Sequence, residues 1–291
     1  MGRIVRTISA DASVVASVIE AKDIVSEIER IHKTSAVVTA GLGRLAMGTS
    51  LLGFGLKGND DTITVRINGN GPAGSLLAVS DSYGNVRAYV QNPVVEIPFN
   101  SAGKLDVAGA VGTDGTLSVV KDLGLKEPYV GQVPIISGEI AEDITNYLAT
   151  SEQVPSVCSL GVLVNPDLSV NVAGGFLIQV LPFASDEVIN TIENNVGKIP
   201  PMTKLLSSGK TPEEIGMMLL DGLDPNVLDD FKVEYKCDCS KQRVEKALIS
   251  LGKKELEDLA KDRQTTVDCH FCGKKYAFSS HDIFDLINKI S

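Results

Sequence analysis

Several features that would assign a common function are missing from this sequence of 291 residues. It has only three histidines, and none stands in a local Ser-His-Asp or Cys-His arrangement or is followed by x-Glu, as in zinc deaminases. The N-terminal segment has neither the apolar core nor the cleavage site of a secretory signal. We find no internal repeat and no low-complexity tract. We therefore expect a cytoplasmic protein that is not an enzyme.

The sequence also has fewer basic than acidic residues, with 27 Lys and Arg against 37 Asp and Glu and a net charge of −10. An acidic surface repels phosphate backbones and anionic lipid, so we expect no nucleic acid partner. One stretch, residues 36–56, has the length of a membrane span, but Arg44 in its middle costs roughly 2.5–3.5 kcal/mol in a bilayer. We interpret it as a closely packed buried helix and expect no membrane association.

The spacing of apolar residues changes along the chain. Residues 13–56 have helical spacing, whereas residues 62–182 form short alternating runs separated by turns, as antiparallel strands do. One helix, which Ser137 can cap, interrupts those runs. Residues 185–228 contain short amphipathic helices separated by Pro and Gly. The sequence predicts an α+β protein with a mixed α/β core domain and largely antiparallel sheet (1–182), a helical linker (183–232) and a small C-terminal domain (233–291).

Cysteine is rare, and four of the five cysteines form two pairs near the C-terminus. One residue lies between Cys237 and Cys239, and two residues lie between Cys269 and Cys272. The two pairs are separated by 29 residues. Four thiolates in a tetrahedral set make a closed structural zinc site, and Gly273 permits the tight turn after the second pair. We predict that all four bind one zinc ion and make residues 233–291 a zinc-binding domain; two unrelated reduced pairs are the alternative. Charged neighbours are expected to offset the thiolate charge (Lys236, Lys241, Lys274, Lys275) or to oppose it (Asp238, Asp268).

The same thiolates are open to oxidation, because the metal-bound thiolate is the form that peroxide attacks. Zinc supplies on the order of 10–16 kcal/mol to small zinc-finger folds, and a domain of about sixty residues has little core of its own. Loss of the metal should therefore unfold the C-terminal domain and loosen the adjacent short helices. The fifth cysteine, Cys158, lies in an apolar run and is expected to be a buried small hydrophobic side chain, with an auxiliary redox thiol as the alternative. His270 would be a redundant fifth ligand.

The two cysteine pairs, at this separation and near the end of the chain, resemble those of the redox-regulated 33-kilodalton heat-shock protein family of bacterial chaperones. Segments of the body look similar to that family as well: residues 115–124, 137–156, 161–166 and 173–182. The resemblance covers essentially the whole chain, with no departure at the four cysteines.

The resemblance implies an ATP-independent holdase that binds unfolded or aggregation-prone proteins and is dormant while reduced and zinc-bound. It implies that oxidation pairs Cys237 with Cys239 and Cys269 with Cys272, releases zinc, unfolds the tail and linker, and favours homodimers. We expect the opened linker to bind clients through its apolar residues: Ile189, Ile192, Leu205, Leu206, Ile215 and Leu219. Two alternatives remain, a structural zinc module on a binding or adaptor protein, and an enzyme whose site lies in the acidic core.

Overall fold

The computed structural model describes residues 1–290, which divide into two compact units. The body unit spans residues 1–236, and the tail unit begins at Cys237. The predicted linker boundaries at residues 183 and 232 stay a prediction. In chain order the body unit contains β1 (Gly2–Ile8), β2 (Val14–Glu20), α1 (Lys22–His32), α2 (Ala36–Gly53), β3 (Thr62–Asn68), β4 (Leu76–Asp81), β5 (Val86–Val90), α3 (Val107–Val111), β6 (Thr116–Asp122), β7 (Tyr129–Pro134), α4 (Ala141–Thr150), β8 (Ser156–Val164), β9 (Val170–Val180), α5 (Asp186–Lys198), α6 (Met202–Ser207), α7 (Pro212–Leu219) and β10 (Asn226–Val233).

The first sheet has the strand order β10-β1-β2-β9-β8, and every neighbouring pair is antiparallel. Strand β2 lies in its middle, and the helical prediction for residues 14–20 is wrong. Val14, Ala16 and Val18 pack into a core with α5, α6 and α7, while Ile19 packs into a second core with α1 and α2. A strand covered on both faces is apolar on both, so it loses the alternation that marks a half-exposed strand.

The second sheet has the order β5-β4-β3-β6-β7 and is also antiparallel, which confirms the predicted series of strands. The predicted Gly-Asn turn joins β4 to β5, where Gly84 adopts a left-handed φ of 81°. The observed fold is a mixture of helices and antiparallel sheets, as the α+β prediction requires.

Helix α2 packs against strands of both sheets, which confirms the predicted buried helix. By length and composition α2 could cross a membrane, but 83% of this apolar helix is buried inside the fold. The guanidinium of Arg44 forms an ion pair with the carboxylate of Glu139, which compensates the charge that interrupts the apolar stretch.

Helix α4 begins at Ala141, and Ser137 is not its cap, contrary to prediction. The buried carboxylate of Asp143 instead accepts hydrogen bonds from the backbone N–H groups of Ile136, Ser137 and Ile140, at 2.8–3.0 Å. One side chain inside the first turn thus satisfies N–H groups that would otherwise lack partners.

The short helices α5, α6 and α7 cover the face of the first sheet opposite α1 and α2. The Ser185 hydroxyl caps α5, and Thr211 caps α7 in a capping box with Glu214. The helical prediction fails at its end, because Asn226–Val233 forms β10, which pairs with β1 at the sheet edge. Most side chains of β10 are exposed on both faces of the strand. Its sequence therefore lacks the alternation of apolar and polar residues that marks a half-buried strand.

The tail unit contains α8 (Lys241–Ser250), α9 (Lys253–Leu259), β11 (Gln264–Asp268), β12 (Lys275–Ser279) and α10 (Ser280–Ile290). Strands β11 and β12 form an antiparallel hairpin. The core of the tail unit is small: Leu248, Leu256, Ala260, Tyr276, Phe278, Ile283, Leu286 and Ile287.

Candidate metal centre

The four cysteines of the two pairs converge at one point in the tail unit. Cys237 and Cys239 precede α8, and Cys269 and Cys272 lie in the turn between β11 and β12. All four Sγ atoms lie within 4.8 Å of one another, with 3.7 Å between Cys237 and Cys269 and 3.4 Å between Cys239 and Cys272. Sulfurs placed 2.3 Å from a tetrahedral zinc are separated by about 3.8 Å, so this arrangement could hold such an ion.

The turn that carries the second pair has the geometry of a metal-binding knuckle. Gly273 adopts a left-handed φ of 69°, as its position in the sequence indicates, and its N–H donates to the Cys269 carbonyl at 2.8 Å. The N–H of Cys269 donates to the Lys274 carbonyl at 2.9 Å, and the N–H of Lys274 donates to the Cys272 sulfur. In the first pair the N–H of Cys239 donates to the Cys237 sulfur. Backbone donors of this kind stabilise thiolates.

Local surroundings shift the pKa values of three of these cysteine thiols, and not all in the same direction. Burial raises the pKa of Cys237 and, to a smaller extent, that of Cys272. Burial opposes ionisation of Cys239 too, but a hydrogen bond from the Tyr276 hydroxyl at 3.1 Å and contacts with the neighbouring thiols outweigh it and lower the pKa. The bond to Cys239 also raises the pKa of Tyr276, which therefore remains a donor. A bound cation would further favour the thiolate form.

Four of the six charged neighbours form ion pairs. Lys275 pairs with Asp268 at 3.0 Å, and Lys241 pairs with Asp282 at 3.4 Å. Asp238 pairs with Arg243. Because these pairs neutralise one another at an exposed surface, neither the two lysines nor the two flanking aspartates dominate the charge at the sulfurs. The Lys274 ammonium lies 5.3 Å from the centre of the Tyr276 ring.

Comparison with known proteins shows the family to which this chain belongs. The family model described as Hsp33 protein matches residues 2–279. The chain belongs to the Hsp33 family. It is 46% identical over 288 residues to the 33 kDa chaperonin of Clostridioides difficile (strain 630), covering 99% of each chain. It is 47% identical over 284 residues to the 33 kDa chaperonin of Bacillus subtilis (strain 168), covering 97% of each.

A solved structure extends the similarity to the fold. The crystal structure of the Hsp33 homologue from Thermotoga maritima, a 33 kDa chaperonin, matches with a TM-score of 0.90 at 39% identity. The match covers 99% of this chain and 98% of the other. The resemblance seen in the sequence is confirmed, and Hsp33 membership supports a chaperone role that implies binding of unfolded proteins.

Two other candidate residues of this Hsp33 chain lie apart from the metal centre. Cys158 lies in β8 and is partly buried against the core of the body unit, less deeply than predicted, and desolvation there raises the pKa of its thiol to about 12. His270 is not part of the metal-ligand group found in residues 1–290, which consists of the four cysteines. The sequence did not single out Tyr276, although an aromatic hydroxyl four residues after Cys272 was visible in it.

Most of the predicted client-binding residues lie on the inner faces of helices α5, α6 and α7, which face the first sheet. Ile192, Leu205, Ile215 and Leu219 are at most 5% exposed, packed between α5–α7 and the first sheet. Leu206 is partly buried in the same cluster, whereas Ile189 is partly exposed outside it. Sequence reasoning missed the sheet face that these helices cover: Val14, Ala16, Val18, Phe176 and Ile178. Which strands a helix covers is a tertiary property that local spacing does not encode.

Proposed function

We propose that this protein is a cytoplasmic, redox-regulated holdase that works without ATP and is dormant while reduced and bound to one zinc ion. The observation that carries the proposal is the convergence of four thiol sulfurs, within 4.8 Å, in a unit with a small core. Zinc is the metal that such a closed set of four sulfurs favours. Its binding energy is then a large part of what keeps the tail unit folded.

The activating step is oxidation of the ligands. Each pair of thiolates gives two electrons to one hydrogen peroxide molecule and forms one S–S bond. The O–O bond of the peroxide breaks, and its two oxygens leave as two water molecules after accepting two protons. The resemblance to the family implies the pairs Cys237–Cys239 and Cys269–Cys272. The mutual proximity of all four sulfurs allows this pairing, and each disulfide removes two ligands from the metal.

Loss of zinc removes the main support of the tail unit, and we propose that the linker then opens. Helices α5, α6 and α7 have 13, 6 and 8 residues, too short to be stable without packing. Their departure exposes two apolar surfaces at once, the inner faces of the helices and the sheet face beneath them. Exposed apolar area of this kind binds unfolded chains.

We further propose that the opened form associates as a homodimer and binds neither nucleic acid nor membrane. The net charge of −10 disfavours both anionic partners. The dimer is an implication of the family resemblance alone.

The decisive experiment treats the reduced, zinc-loaded chain with peroxide at mildly elevated temperature and follows light scattering of a chemically denatured client. Released zinc and free thiols are measured in parallel. We expect zinc to leave, four thiols to disappear, and client aggregation to fall. If zinc leaves without suppression of aggregation, the four cysteines form a structural module, and the proposal fails.

A further inference from the structure

Strand β10 is the least buried strand of the first sheet. It pairs with β1 along most of its length, yet Val233 is its only buried residue. Val227, Leu228 and Phe231 are 41–49% exposed. Because few apolar contacts hold it, β10 can detach at a smaller free-energy cost than the central strands.

The contacts that position β10 are electrostatic and aromatic. Arg3 of β1 binds Asp230 at 2.9 Å and also pairs with Glu213 of α7, so it links β10 and a linker helix to the same strand. Arg6 of β1 pairs with Asp229. The Phe231 ring packs edge-on against Phe54, with 4.9 Å between the ring centres.

The residues after β10 pair with β5, an edge strand of the second sheet. The Val86 N–H donates to the Glu234 carbonyl at 3.0 Å, and the Lys236 N–H donates to the Val86 carbonyl at 2.9 Å. The Tyr235 hydroxyl donates to the Ala88 carbonyl at 3.1 Å. Residues 226–236, here called the strap, therefore cover β1 of the first sheet and β5 of the second, and lead directly to Cys237.

We propose that the β1 edge, once the strap has left, binds an extended client segment as an added strand in the place of β10. The inference rests on the proposed function, which provides the release. A vacated β1 presents unpaired backbone groups, the guanidinium groups of Arg3 and Arg6 without their carboxylates, and the Phe54 ring. The occupant that fits is an extended segment with adjacent acidic and apolar residues, as in the NVLDDFKV sequence of β10 itself.

An unfolded client is the partner that this edge suits. Main-chain pairing demands no particular sequence, and two cations with one aromatic ring select only for acidic and apolar residues. Apolar segments are abundant in unfolded proteins, whereas a folded partner would need a free edge strand of its own. The β10 strand of a second copy is the competing occupant.

The test uses a fluorescent peptide with the sequence of residues 224–236 and the full-length chain, reduced or oxidised. We expect fluorescence anisotropy to show at least tenfold tighter binding to the oxidised form. The peptide should also release a bound client, detected as renewed aggregation. A matched peptide with Phe231→Pro and Lys232→Pro keeps both aspartates but loses two adjacent N–H groups, one of which faces β1. It should not bind.

Charge is tested from both sides of the strand pair. A peptide with Asp229→Asn and Asp230→Asn, and a full-length chain with Arg3→Gln and Arg6→Gln, should each weaken binding at least fivefold. The peptide variant does not depend on the folding of the altered protein.

Each outcome has one meaning. If the oxidised chain suppresses aggregation but does not bind the peptide, or binds it without losing its client, the inference is overturned and the proposed function stands. If the peptide binds only after dilution separates a dimer, the edge belongs to a second copy, which also overturns it. If the oxidised chain suppresses no aggregation, the proposed function fails, and peptide binding alone still decides whether the β1 edge accepts a strand.

Discussion

Tyr276 connects the core of the tail unit to the metal centre. The residue is 7% exposed and packs among the apolar residues of that core, while its hydroxyl donates to Cys239 at 3.1 Å. A donor to a ligand sulfur stabilises the thiolate and fixes its orientation toward the metal. The residue therefore affects both metal affinity and the reactivity of Cys239 toward oxidants.

We predict that Tyr276→Phe weakens zinc binding by roughly 10-fold, because the ring packing is retained and only the hydrogen bond is lost. Peroxide should release zinc from the variant faster than from the unaltered chain. Competition with a chromophoric chelator measures both quantities.

Tyr83→Phe provides the control, since Tyr83 is an exposed tyrosine in the turn between β4 and β5 of the body unit. Unchanged zinc affinity in Tyr276→Phe would show that the hydroxyl does not support the metal centre.

Residue roles were predictable where chemistry alone restricts the choice of residue. Two closely spaced cysteine pairs have few uses in a chain with five cysteines, so Cys237 and Cys272 could be found without a structure. Lys241 and Lys275 were misread, because a long flexible cation near a site in sequence can turn to another carboxylate. Tyr276 was missed, because the partner of its hydroxyl depends on how β12 packs.

At the scale of elements, Gly216 determines how closely α7 approaches β1. A Cβ at this position would lie 2.7 Å from the Thr7 Cγ2 atom and 2.8 Å from its Oγ1 atom. Thr7 is fully buried and cannot move away easily. The approach of helix to strand thus requires glycine at a position where helix propensity alone would favour alanine.

We predict that Gly216→Ala opens the linker in the reduced protein. Overpacking of this kind costs typically about 1–3 kcal/mol, which should loosen α7 from the sheet. Light scattering of a denatured client should show partial suppression of aggregation without oxidant, and unfolding by urea should occur at lower concentration.

Gly197→Ala is the matched control, because a Cβ at Gly197 of α5 meets nothing within 4 Å. That change should stabilise α5 by about 0.5–1 kcal/mol and leave the reduced chain dormant. Equal behaviour of the two variants would show that close packing of α7 does not control the linker.

Elements were predictable to the extent that local signals mark them. Short helices were predicted in residues 185–228, and α5, α6 and α7 lie there, with Ser185 and Thr211 as the observed caps of α5 and α7. Strand β2 was misread because helices on both faces remove its alternation. Strand β10 was misread because exposed residues lie on both of its faces. Both errors arise from the environment of the strand, which only the folded chain defines.

At the scale of the whole molecule, the two units differ in what holds them together. The body unit has two five-stranded sheets and two apolar cores, whereas the described part of the tail unit, up to residue 290, has one hairpin and three helices around eight buried apolar residues. Sequence length and cysteine position indicated this contrast, but the strand order of the sheets depends on long-range pairing and was not predictable. A metal that supplies on the order of 10 kcal/mol contributes directly to the stability of the smaller unit.

We predict that a zinc chelator, added under reducing conditions, unfolds the tail unit and leaves the central strands of the body unit intact. Hydrogen exchange followed by mass spectrometry should show loss of protection in β11 and β12, with β2, β3 and β9 still protected. Zinc added back should restore protection, because the thiols remain reduced. Chelation after peroxide treatment is the control, in which added zinc should have no effect. A hairpin that stays protected without metal would mean that the tail core is stable alone, and oxidation of its cysteines could not then open the protein by releasing the ion.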